Sequence, residues 1–137
     1  MKNDLKLGAT TRRTLTVDVD RTVDFLGEAL RLYATPELVR DVEQTCLEFL
    51  LAYAHEGENS VGTEIAVKHG GATLLGRQVE IHARVSAIEG RNVSFDFIVQ
   101  EDGKEVASGM HRRFVVNVER LRAKVRGVRT EPVAATL

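Results

Sequence analysis

Three side chains stand out for the chemistry their types and positions would support: Thr35, Glu43 and His69. Glu43 falls on the apolar stripe of a helical segment, because Val39, Glu43, Cys46 and Leu50 are spaced i, i+4, i+7, i+11 and share one face. A carboxylate there points at whatever the helix packs against. Burial without a partner is costly or drives the pKa up, so the spacing predicts a hydrogen-bonded carboxylate or one lining a cavity reached by water and ligand. A boundary position whose carboxylate reaches solvent fits the spacing equally well.

His69 closes an alternating segment on its apolar side, directly before Gly70 and Gly71. An imidazole titrates near neutrality, so beside flexible backbone it can act as general base or hydrogen-bond donor. A core histidine bonded to a carbonyl is the structural alternative. Thr35, followed by Pro36 and Glu37, fits the N-cap of the helix that carries Glu43. Backbone N–H groups and the helix dipole favour negative charge there, which puts Thr35 and Glu43, two turns apart, within reach of one shared ligand.

Other positions are more ambiguous. Gly62 would let a ligand approach the backbone, or simply bend a strand. Arg113 lies on the side opposite Phe114 and Val116, which predicts either a surface arginine or a phosphate contact. Cys46, on the helix stripe, reads as a packed core residue. His55, His82 and His111 have no metal-ligand spacing with His69 or with one another, and no CxxC or HxxxH pattern occurs, so no metal is expected.

These residues need a scaffold. At 137 residues, 43% hydrophobic and 28% charged, the chain reads as one compact domain over residues 1–137 with a loose C-terminal tail after about residue 128. No apolar run approaches the roughly 20 residues that span a bilayer, and the start MKNDLKLGATTRR lacks an apolar secretory core, so a cytoplasmic location and no membrane partner are expected. The net charge of −1 offers no general attraction to nucleic acid. It conceals a division: from Arg112 to Arg129 seven basic residues stand against Glu119 alone, a local +6, so the remainder carries −7. Such a run is commonly a solvated tail, but it also suits a small polyanionic ligand.

Alternation over residues 12–20 predicts a strand, and RTVDFLGEALRLYA a helical segment weakened by Gly27. The main helix starts at Thr35 and Pro36 and runs about five turns along Leu38, Val39, Val42, Cys46, Phe49, Leu50 and Tyr53, until HEGENS stops it. Four strands follow: VGTEIAVKH, RQVEIHARVSAIEG, NVSFDFIVQ and KEVASGMHRRFVVNV, the last with Val106, Met110, Phe114, Val116 and Val118 on its apolar side. Close connections make an antiparallel meander of the last three. The fold class is α+β, a long helix wrapped by an antiparallel sheet. About five short strands around one helix leave open edges, an independent motive for pairing with a second copy.

The stretch from Thr35 to Glu43, the segment EGENSVGTEIAVKHGGATLLGRQVEIHARVSAIEGR and the ending ASGMHRRFVVNVERLRAKV resemble the fluoroacetyl-CoA thioesterase-like family, a branch of the hot-dog fold superfamily. The likeness covers most of residues 33 to 126. Its most specific elements are Thr35, Glu43 and His69 at matching spacings, SVGT with Gly62, and the G-x-H-x-R element Gly109, His111, Arg113. The resemblance implies a hot-dog fold, catalytic Thr35, Glu43 and His69, acyl-CoA contacts from Gly62, His69 and Arg113, and a homodimer, or a tetramer of paired dimers, with active sites at the subunit interface. CoA enters as part of the substrate, and no cofactor is implied. The segment Arg21 to Tyr33, where the fluoroacetyl-specific enzyme has an aromatic lid, differs here, with Ala29 and Leu30 where an aromatic would be sought. The expected activity is therefore hydrolysis of another small acyl-CoA to the free acid and CoA. A non-catalytic acyl-CoA or small-ligand binding module on the same fold is the alternative.

Overall fold

The structure, a computed structural model, describes residues 1–129; the expected loose tail lies almost entirely outside them. Five strands, β1 (Thr10–Thr16), β2 (Glu58–Lys68), β3 (Gln78–Glu89), β4 (Asn92–Glu101) and β5 (Lys104–Asn117), form one antiparallel sheet in the order β1-β3-β4-β5-β2. Helix α1 (Thr35–Leu51) packs on one face, and α2 (Val118–Arg129) follows β5. This is the α+β arrangement expected. Among the described residues no helix is long and apolar enough to cross a membrane.

The alternation read in β3 and β4 holds. Val79, Ile81, Ala83 and Val85 are buried, as are Val93, Phe95, Phe97 and Val99, against Leu38, Val42, Cys46 and Leu50 of α1. Each alternate residue faces the helix because side chains along a strand have a period of two. The β4–β5 turn uses Asp102 and Gly103, both at positive φ (50° and 75°), a backbone that matches the twist of a hairpin.

Four local expectations are corrected. The first strand is Thr10–Thr16, earlier than residues 12–20, because Asp18 caps a 3-10 turn at Val19–Arg21. The segment after Asp20 is not a helix. It holds only that turn and a second at Glu28–Leu30, and Gly27 sits at φ 87°. Its backbone groups pair across a loop instead, Val23 N–H to Leu32 O at 2.9 Å and Ala34 N–H to Arg21 O at 2.8 Å.

The third correction concerns β5. Val99 pairs with Ala107 and Gln100 with Glu105, so Val106 is an extra residue in the ladder. A one-residue bulge exchanges the faces of everything beyond it. Ala107, His111, Arg113 and Val115 therefore point inward, and Met110, Phe114 and Val116 lie on the other side, half-buried. Arg113 is 5% exposed and not a surface arginine. Finally, the strand stops at Asn117. Its Oδ1 accepts the Arg120 N–H at 3.0 Å and starts α2, where a strand reaching Val118 was expected.

Among the described residues β2 pairs only with β5 and so forms one margin of the sheet. Along it Val61 and Ile65 are exposed.

Candidate active site

Two groups of polar side chains sit toward opposite ends of β2. The first joins Thr35 to His69, the residue just past the strand. Thr35 is the first residue of α1; the cap position belongs to Ala34, in extended conformation, and Thr35 makes no capping bond. The Leu38 amide, one of those an N-cap hydroxyl would reach, donates to Ala34 O at 2.9 Å. The Thr35 hydroxyl is thereby released, and its Oγ1 lies 2.8 Å from His69 Nδ1.

His69 is half-buried, and burial pushes its pKa below the ordinary imidazole value, so the ring is neutral at pH 7. Its Nε2 is buried without a hydrogen-bond partner among the described residues. Both residues line a cavity of about 300 Å³ with Phe25, Leu26, Leu32 and Gly71. An aromatic residue thus does reach this cavity, from Phe25 rather than from the Ala29 and Leu30 positions. Phe25 is 76% exposed.

The second group lies beneath the middle of α1. A methyl group on Gly62 would fall 2.9 Å from Glu43 Oε1, 3.0 Å from His111 Cε1 and 3.4 Å from Arg113 Nη1, so this glycine makes the room in which the three side chains meet. Arg113 donates through Nε to Ser60 Oγ and through Nη2 to Ser60 O, each at 2.8 Å. His111 Nδ1 lies 2.8 Å from Glu64 O and must donate to that carbonyl, which leaves Nε2 to accept from Arg113 Nη1 at 3.0 Å. Burial first, then the adjacent guanidinium, lowers the His111 pKa, and burial lowers that of Arg113. Cys46, buried nearby, has its thiol pushed up to about 12 by burial and is packing, as expected. Gly109 is required for a different reason: a Cβ there would lie 1.9 Å from Ala66 O, closing the approach of β5 to β2.

The structure thus brings Thr35 to His69, and Glu43 to Gly62 and Arg113, but it separates the pairs. Eight residues of helix place Glu43 about 12 Å along α1 from Thr35. Seven residues of strand place Gly62 about 23 Å from His69. Among the described residues no hydrogen bond joins Glu43 to Thr35 or His69. Nor does any cluster of three or more His, Cys, Asp or Glu residues form that would hold a metal ion.

Residues 17–119 match the family model described as Fluoroacetyl-CoA-specific thioesterase. The chain belongs to the fluoroacetyl-CoA-specific thioesterase family. A curated fluoroacetyl-CoA thioesterase of Streptantibioticus cattleyicolor is 32% identical over 133 residues, covering 92% of this chain and 96% of that protein. The crystal structure of a point mutant of the fluoroacetyl-CoA-specific thioesterase superposes with a TM-score of 0.83 at 31% identity, covering 92% of this chain and 98% of the other. A hot-dog-like protein from Thermanaerovibrio acidaminovorans also gives 0.83, at 26% identity, with 93% and 94% covered. The hot-dog fold is thereby shown. Within the fluoroacetyl-CoA-specific thioesterase family span lie both polar groups, while all of α2 beyond Glu119 falls outside it.

Sequence reasoning missed His111 and Ser60 as parts of the second group. The G-x-H-x-R spacing pointed at His111, but the bulge at Val106 hid which face it occupies. It also missed Tyr33, whose ring meets that of His69 edge-on at 6.1 Å between centroids.

Proposed function

We propose that the protein is a thioesterase that hydrolyses a small acyl-CoA to the free acid and CoA. The observation that carries this reading is the Thr35–His69 hydrogen bond on the wall of a small, largely apolar cavity, with a neutral imidazole whose Nε2 has no partner among the described residues. With Nδ1–H donated to Thr35 Oγ1, Nε2 carries the lone pair. It takes a proton from water as the water oxygen bonds to the thioester carbonyl carbon. The tetrahedral intermediate then collapses, the C–S bond breaks, and the imidazolium returns the proton to the departing thiolate. Backbone N–H groups at the start of α1 favour the oxyanion. Phe25, Leu26 and Leu32 leave room for a short acyl chain.

Glu43 is assigned to positioning the water, with Arg113 and His111 holding its carboxylate side of the site and Gly62 admitting the thioester. Since Glu43 lies too far from His69 in one chain, we assign the working unit to a homodimer. Antiparallel pairing of β2 with its copy would carry the Gly62 end of one strand toward the His69 end of the other. The CoA phosphates are assigned to a groove of about 250 Å³ between α2 and the sheet, where Arg91, Arg120 and Lys124 surround Phe114 and Leu121. Arg113 is not a phosphate contact in this scheme, because its guanidinium is buried on Ser60 and His111. The substrate being soluble, we place the enzyme in the cytoplasm.

Thiol release from acetyl-, propionyl-, butyryl- and phenylacetyl-CoA tests the reading. Turnover of at least one, lost in His69→Ala and Glu43→Ala, is expected. Calorimetric binding of CoA without release of thiol from any of them would instead make the protein a binding module.

A further inference from the structure

The buried face of α1 contains a carboxylate that this mechanism does not use. Asp41 is 5% exposed, between Leu38 and Thr45 on the helix. It is fully satisfied: Arg21 donates through Nε to Oδ2 at 2.9 Å and through Nη2 to Oδ1 at 3.0 Å, and the Tyr33 hydroxyl donates to Oδ2 at 2.5 Å. A buried carboxylate persists only with such partners, so these bonds hold their donors firmly.

The two donors come from opposite sides of one loop. Thr22 and Tyr33 form a bridge, and Ala34 N–H donates to Arg21 O, so Asp41 clamps the foot of residues 22–33, the loop that carries Phe25 and Leu26 to the cavity. Tyr33 is itself buried, with its ring edge-on to His69 at an interplanar angle of 77°. Two residues further on, Thr35 bonds the same imidazole. Burial and the bond to Asp41 hold the phenol well above its usual pKa, so it is a permanent donor.

We propose that Asp41 is a positioning residue for the reaction: through the Tyr33 hydroxyl it seats the His69 ring, and through Arg21 it pins the loop that walls the acyl cavity. The proposal rests on the thioesterase reading. It adds a three-residue network, half-buried Arg21 with buried Asp41 and Tyr33, to a site otherwise described by Thr35, Glu43 and His69.

The test pairs kinetics with a structural readout that needs no substrate. Tyr33→Phe keeps the ring against His69 and removes its tether; Asp41→Asn removes the charge. On whichever acyl-CoA the wild type turns over, kcat is expected to fall about 5- to 50-fold with KM within about twofold, as for a misplaced catalytic group. In ligand-free protein the His69 ring resonances, followed by 15N–1H NMR, should shift or broaden. Gln44→Ala, on the exposed side of the same helix, should change neither. If Asp41→Asn does not fold, Tyr33→Phe and Arg21→Lys carry the same measurements. Folded variants with wild-type kcat and unmoved His69 resonances would overturn the proposal. A wild type that hydrolyses no thioester would sink the thioesterase reading instead, while the NMR comparison would still decide whether Asp41 seats His69.

Discussion

Thr35 Oγ1 and His69 Nδ1 lie 2.8 Å apart, so the first residue of α1 is fastened to the residue that follows β2. The bond fixes which way the imidazole faces and leaves Nε2 without a partner among the described residues, as the proposed mechanism requires. Thr35→Ser keeps the oxygen and should retain most activity, whereas Thr35→Ala should lower kcat about 10- to 100-fold, within the range for general-base catalysis that loses its orientation. Because Thr35 makes no cap, neither change should lower the melting temperature by as much as loss of an N-cap would. Steady-state kinetics beside thermal melts checks both. Equal kcat for the two variants would remove Thr35 from the mechanism.

The depressed pKa of His69 sets a pH dependence. A base must be neutral, so the acidic limb of kcat/KM should bend below the ordinary imidazole value of about 6.5 rather than at or above it. Stability follows with a definite sign. His69 and His111 both have lowered pKa values when folded, so the unfolded chain binds more protons, and stability falls as the pH drops below about 6.5. Melting curves between pH 5 and 8 on His111→Asn, whose side chain does not titrate, should show a shallower acid loss.

Two glycines separate chemistry from folding. At Gly62 a methyl group meets the end of the Glu43 side chain at 2.9 Å, and such an end can move. Gly62→Ala should therefore cost about 1 kcal/mol of stability yet lower kcat by tenfold or more, if the displaced carboxylate positions the water as proposed. At Gly109 the obstacle is the Ala66 carbonyl at 1.9 Å, which can move only if β2 leaves β5. Gly109→Ala should fail to give folded protein. Similar melting losses in the two variants would contradict this division.

Much of this arrangement was legible in the residues. Strand alternation in β3 and β4 and the stripe of Leu38, Val42, Cys46 and Leu50 depend on burial, which periodicity reports directly. What was hidden has physical causes. A single extra residue, Val106, inverts β5, and no local feature distinguishes a bulge from continued alternation. Alternation alone consequently puts Arg113 on the side away from the core, although it and His111 are among the most enclosed polar groups of the described residues. The role of Asp41 is hidden in the sequence because its partners Arg21 and Tyr33 come from a loop whose residue pattern predicts a helix. The separation of Glu43 from His69 depends on how far a strand and a helix advance per residue, a distance that motif spacing does not express.

That separation yields the sharpest prediction about assembly. If each site takes His69 from one chain and Glu43 from the other, a mixture of inactive His69→Ala and Glu43→Ala chains should recover activity after subunit exchange. A mixed dimer then holds one intact site and one doubly defective site. With random exchange of equal amounts, half the dimers are mixed, and recovery should approach about a quarter of the wild-type rate in a two-fold dimer. A site built within one chain would recover nothing, since every site would keep one lesion. Ile65→Lys, placed on the exposed margin of β2, supplies the second arm: it should give monomers by light scattering and abolish both wild-type turnover and the recovery. Full activity in a monomeric Ile65→Lys protein would place all the catalytic groups within one chain.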